Sequence, residues 1–188
     1  MRDMPSDTEA AVDTLMNGAG IHVIEGALNI GDAATLRDVI LAYKPDKVGS
    51  IKRLLDKSSL FEELLFNAEL HRICRELFRV PYQLSQHNAR IIPAGDHGDG
   101  WHRHVMSPHI DFPYREVIGE CEGVNSRYRG VPMGLQVFVP LTDLTEESGA
   151  TAYIPGSQNW FRKVDGDQFE EQFRQGKCKR LYLAAGSM

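Results

Sequence analysis

The sequence is short of the features that would mark several common functions. It has three cysteines in 188 residues, Cys74, Cys121 and Cys178, far apart and odd in number. No C-x-x-C pair exists, so neither a zinc ribbon nor a disulfide framework is indicated, and a reduced, cytoplasmic protein is expected. Lys and Arg never concentrate into a stripe, and the formal net charge is −5, which argues against a nucleic-acid backbone as partner. The N-terminus has no basic region followed by an apolar one, so it does not read as a secretory signal. No run approaches the roughly 20 apolar residues needed to span a bilayer, so no membrane partner is expected either. Internal repeats and low-complexity tracts are also missing.

What is present suits one domain, residues 1–188, with a real core. The first eighty residues read mostly as helix. "SDTEAAVDTLMNG" opens with a capping-box pattern, Ser6 to Glu9, and stops at Gly18. "GDAATLRDVILAYKP" places Leu36, Val39, Ile40 and Tyr43 on one helical face. "SSLFEELLF" and "NAELHRICRELF" keep the helical period, with Asn67 as N-cap of the second. Beyond Pro81 the texture changes to short β-rich segments bounded by Gly, Pro, Asp or Ser, including "YQLSQHNARIIPAG", "SPHIDFPY", "MGLQVFVPLTDL", "ATAYIPGS" and "KRLYLAAGS". "GIHVIEGAL" is a further β-rich piece near the start, and "DGDQFEEQFRQG" reads as a short helix between the last strands. Helices followed by strands predict an α+β fold, the strands forming a sandwich or barrel with the helical half packed outside.

Four of the seven histidines, His97, His102, His104 and His109, crowd into one stretch, and Asp111 follows the last of them. In an extended strand His109 and Asp111 project to the same face while Ile110 turns to the other. An imidazole and a carboxylate so placed can share a cation, and a distant histidine would complete the facial triad of non-haem Fe(II) oxygenases. A competing ligand set is His102, His104 and His109, as in a cupin-type metalloenzyme. H-x-D is also a short pattern that arises by accident. His22, His71, His87 and His97 read as surface or satisfied histidines instead of ligands.

"PHIDFPY", followed by "GLQVFVPLTDLTEESGATAYIPGSQNW", resembles the phytanoyl-CoA dioxygenase family of Fe(II)/2-oxoglutarate oxygenases. The likeness runs nearly position by position from Gln136 to Ser157, with Ser148 where the family commonly has Asn and Gln158 where it has His. The resemblance implies a double-stranded β-helix (jelly-roll, cupin-like) core with iron at its mouth and His109 and Asp111 as the first two ligands. It also implies 2-oxoglutarate and O2 as co-substrates, and hydroxylation of a C–H bond in a small molecule with release of succinate and CO2. Asp111 is retained, which favours hydroxylation over halogenation.

Asn88 and Arg90 occupy places where the family's polar residues face the co-substrate. Alternation with Ala89 puts both on one strand face, a solvated face being the other reading. Gln136 starts a core strand and is a third candidate for the co-substrate pocket. Trp101, His104 and Tyr114 are candidates to line the substrate cavity, and the loop Arg115 to Pro132 is a candidate lid. "IPGS" reads as a tight turn, Pro155 presetting φ and Gly156 supplying a positive one.

The family's third histidine ligand, and the Arg or Lys that pairs with the 2-oxoglutarate C5 carboxylate, fall beyond the position of Gly186-Ser187. The chain is therefore expected to be C-terminally incomplete, to bind iron weakly through two ligands, and not to turn over by itself. A non-catalytic jelly-roll remnant with a binding role is the alternative.

Overall fold

A computed structural model describes residues 7–43, 50–91, 132–160 and 165–188. The architecture is α+β, with helices dominating the first part of the chain and short strands distributed after it. The helices are α1 (Asp7–Met16), α2 (Ile30–Ala42), α3 (Ala68–Phe78) and α4 (Gly166–Arg174).

The helix boundaries follow from local chemistry. Asn67 accepts from the Leu70 amide at 2.9 Å and so caps α3, as its sequence position predicts. Asn29 does the same for α2 through Asp32, and Asp165 for α4 through Gln168. Ser6, the expected cap of α1, lies outside the described residues. The end of α3 is set by Arg79, a non-glycine residue at φ 56° whose amide donates to the Arg75 carbonyl. "SSLFEELLF" is not an α-helix. It forms 3-10 turns at Ser59–Phe61 and Glu63–Phe66, which still bury Phe61 and Leu64.

Ala33, Leu36 and Ile40 of α2 are buried, and Leu36 and Ile40 join Ile51, Leu54, Phe61 and Leu64 in the first core cluster. Tyr43 departs from the expected inward face. It is exposed, its hydroxyl donates to the Lys57 carbonyl at 3.0 Å, and its ring carries the Lys57 ammonium 5.2 Å from the centroid. A second cluster joins Ala11 of α1, Ile73 of α3, Ile24 and Met188. Val139 packs on both clusters.

Among the described residues the strands are much shorter than the β-rich sequence predicts. β1 (Ser50–Ile51) pairs antiparallel with β2 (Ala89–Arg90), and β3 (Ala152–Tyr153) pairs with β4 (Lys179–Arg180), giving two separate two-stranded sheets. A double-stranded β-helix is not formed among the described residues. "MGLQVFVPLTDL" makes no ladder there beyond an isolated bridge between Leu144 and Leu183. "GIHVIEGAL" also forms no assigned strand, although its backbone is paired: Ile24 and Met188 exchange both amide bonds, at 2.8 and 2.9 Å. Among the described residues no helix is long and apolar enough to cross a membrane.

Gly186 ties three of these segments together. Its amide donates to the Pro140 carbonyl at 2.9 Å, and its carbonyl accepts from the Leu28 amide at 2.8 Å. Its φ is +84°, and a Cβ at this position would overlap the Leu28 carbonyl oxygen. Beside it, the Ala185 amide donates to the Asp143 carboxylate at 2.8 Å. Both conformation and space therefore require glycine. Gly186→Ala is expected to lower stability by about 2 kcal/mol or more in urea denaturation, the scale of a strained positive φ plus a backbone clash. A change within about 0.5 kcal/mol, the ordinary surface range, would contradict this packing.

Candidate functional site

The described approach to the H-x-D motif is the strand around β2. Its side chains alternate: Ala89 and Ile91 pack against the first core cluster, while Asn88 and Arg90 are exposed. The expected shared face of Asn88 and Arg90 is thus present, and it is the outer one. The β1–β2 register sets Ser50 opposite Arg90 and Ile51 opposite Ala89, so Ser50 lies on the Arg90 side while Ile51 is buried. Lys52 follows Ile51 and is exposed. Alternation gives it the same outer face as Asn88 and Arg90. Lys52 was not singled out from the sequence, because pairing between segments some forty residues apart leaves no local signal in a two-residue strand.

Asn88 already has structural duties. Its Oδ1 accepts from the Arg53 amide at 3.3 Å and its Nδ2 donates to Gln86 at 3.0 Å. Arg53 itself sits at φ 59°, and its guanidinium pairs with Asp56 at 2.5 Å. One turn of the chain is thereby held against the strand that leads to the motif, with the Leu54 amide donating to the His87 carbonyl at 3.0 Å. Gln136 is exposed and lies in backbone without a ladder. Among the described residues the backbone of this segment pairs with Gly186 at Pro140 and with Leu183 at Leu144.

The described segments that precede and follow the motif in sequence meet on one cluster. Ile91 on one flank, and Val139 and Leu141 on the other, rest on the same apolar cluster. Farther on, Ser148 explains how the chain manages without the family's usual Asn. Its hydroxyl accepts from the Thr145 amide at 2.7 Å and donates to the Asp143 carbonyl at 3.0 Å. The Ala150 amide closes the loop on the Thr145 carbonyl at 3.1 Å. The "IPGS" turn is as expected: Gly156 has φ 79° and ψ −2°, and the Ser157 amide donates to the Ile154 carbonyl at 3.1 Å, a type II arrangement.

His109 and Asp111 lie outside the described residues, as do His97, Trp101, His102, His104, Tyr114 and the loop Arg115 to Pro132 except its last residue. Among the described residues no three His, Cys, Asp or Glu side chains gather into a metal-holding group. The donor chemistry of His109 and Asp111, one imidazole nitrogen and one carboxylate oxygen, suits Fe(II).

The described histidines divide. His71 Nδ1 is 2.6 Å from the Tyr82 hydroxyl and so has a partner. His22 Nε2 and His87 Nδ1 are buried with no hydrogen-bond partner among the described residues, which corrects their reading as satisfied groups. His22 Nε2 comes only within 3.8 Å of Glu69 Oε1. His87 lies edge-on to Phe61, with ring centroids 6.0 Å apart. Burial holds its pKa below the ordinary imidazole value. Cys74 and Cys178 are free thiols, and burial pushes both above the usual thiol range.

A family model described as Phytanoyl-CoA dioxygenase (PhyH) matches residues 22–188. The match takes in the H-x-D motif, the Gln136 to Ser157 segment and the Gly186 junction, and it leaves out α1.

The His87 environment generates a pH dependence of definite sign. Above about pH 6.5 the ring is neutral both folded and unfolded, and contributes nothing to the slope. As pH falls below that value the unfolded chain takes up a proton that the folded chain resists, so stability declines. Urea midpoints from pH 7.5 down to 5 should fall more steeply in the parent chain than in His87→Leu. Parallel slopes would contradict the assignment.

Proposed function

The chain belongs to the phytanoyl-CoA dioxygenase family, and on that footing we propose that it supplies the first two iron ligands of an Fe(II)- and 2-oxoglutarate-dependent oxygenase that hydroxylates a C–H bond of a small molecule. The observation that carries this reading is the span of the family match, residues 22–188, which contains His109-Ile110-Asp111 together with the later "TEESGATAYIPGS" segment. In this reading the strands belong to a double-stranded β-helix, and His109 and Asp111 are the metal ligands assigned in this chain.

The protein's contribution is binding, orientation and electrostatics. His109 would coordinate through a neutral imidazole and Asp111 through an ionised carboxylate, so both must be deprotonated at the coordinating atom. When bound, the iron would activate O2, the oxidant, with 2-oxoglutarate as two-electron co-reductant: one oxygen atom would enter the C–H bond and the other the carboxylate of succinate formed with loss of CO2. Arg90 and Lys52 bring positive charge to one face of the strand that leads to the motif, which suits a dianionic co-substrate. Asn88 acts there chiefly by fixing the backbone of Arg53. Gln136 is assigned to the same pocket, and Trp101, His104 and Tyr114 to the substrate cavity.

Anaerobic Fe(II) titration by calorimetry separates the candidate ligand sets. His109→Ala and Asp111→Ala should each abolish binding, whereas His102→Ala should leave it within about twofold, the spread expected of a residue that is not a ligand. Loss of binding in His102→Ala with retention in Asp111→Ala would replace this site with the three-histidine alternative. Arg90→Ala should weaken 2-oxoglutarate binding roughly tenfold, the scale of one charge-assisted hydrogen bond. An unchanged affinity would remove Arg90 from the co-substrate site.

A further inference from the structure

The last turn of α1 is capped by side chains from the far end of the chain. Gln158 Nε2 donates to the Leu15 and Gly18 carbonyls, both at 3.2 Å, and Asn159 Nδ2 donates to the Met16 carbonyl at 2.8 Å. The Gly156 amide donates to the Ala19 carbonyl at 3.2 Å. Helix C-termini leave carbonyls without intrahelical donors, and those of α1 find theirs on the turn that follows β3. The fit is tight from the other side as well. Gly20 has φ +81°, and a Cβ there would press on the Gln158 carboxamide.

Two further observations make α1 separable. It precedes the family-matched region. It also fully buries only Ala11, whereas α2 buries Ala33, Leu36 and Ile40. A helix of 10 residues is not stable alone in water, so α1 depends on this docking and on its contact with α3.

We propose that α1 and the turn Gly156–Asn159 form a latch: α1 opens as a unit without global unfolding, and its opening breaks the hydrogen bonds that join it to the turn after β3. Release removes the acceptors for Gln158, Asn159 and the Gly156 amide together. It also uncovers apolar surface of the second cluster, which Ala11 joins and against which Val12 and Leu15 pack. The device couples the N-terminal helix to one of the segments of the family domain by hydrogen bonds between groups some 140 residues apart in the chain.

Native-state hydrogen exchange of the intact chain tests this. The amides of Ala11–Met16 and of Gly156 should exchange together, faster than those of Leu36–Ile40, and with a smaller denaturant dependence. Gln158→Ala should accelerate the α1 and Gly156 amides roughly tenfold, the scale of losing one or two neutral hydrogen bonds, while leaving the α2 amides unchanged. Gly20→Ala, which disturbs the same contact from the helix side, should act in the same direction. Common exchange of α1 and α2 in the parent chain would overturn the latch. So would α1 amides indifferent to Gln158→Ala, or a variant that speeds every amide alike.

Discussion

One backbone junction holds the described structure together. At Gly186 the chain adopts a conformation that only glycine takes readily, in a space too small for a Cβ, and there its amide and carbonyl reach two different segments. Pro140 belongs to the segment that leaves the H-x-D motif, and Leu28 to the connection that enters α2. The neighbouring pairings, Ala185 to Asp143 and Met188 to Ile24, fix the same segments on either side. Side-chain packing repeats the connection, since Val139 touches both apolar clusters. Hydrogen bonds of this kind are modest individually, but leaving such buried groups unpaired would be costly.

That junction explains why so little regular strand can still organise a fold. The ladders are two residues long, and sheets of that size have little stability of their own. Their positions are set instead by apolar contacts below and by capped turns at their ends. The same pattern recurs in the described segments before and after the H-x-D motif in sequence. Asn88 and Arg53 lock the strand before the motif, Ser148 locks the loop after it, and both flanks rest on the core formed by α2 and the Phe61 turn. Polar residues face outward there while His87, its Nδ1 buried, packs edge-on against Phe61.

The features legible in the sequence are those with local causes. Asn67 announces α3 because an N-cap acts within three residues, and Pro155-Gly156 announces its turn because the two residues fix their own dihedral angles. Tyr43 matched the helical period yet sits outside, since a phenol can find a carbonyl and a cation at the surface. Among the described residues only short strand pairs are present, since β-rich composition shows what could pair, not what does. Pairing between residues such as Ile51 and Ala89 depends on contacts far apart in sequence. Lys52 and the capping role of Gln158 were invisible for the same reason. The family was legible in the residues from His109 to Tyr114 and from Gln136 to Ser157, and the match over residues 22–188 agrees with it. The ligand residues themselves lie outside the described segments.

The central claim is that His109 and Asp111 hold an iron that 2-oxoglutarate chelates. Its most direct measurement is visible absorption during an anaerobic titration of 2-oxoglutarate into the Fe(II)-loaded protein. The account predicts a charge-transfer band that appears only with both components and disappears in Asp111→Ala. Absence of the band from the parent protein under saturating iron and 2-oxoglutarate, or its persistence in Asp111→Ala, would contradict it.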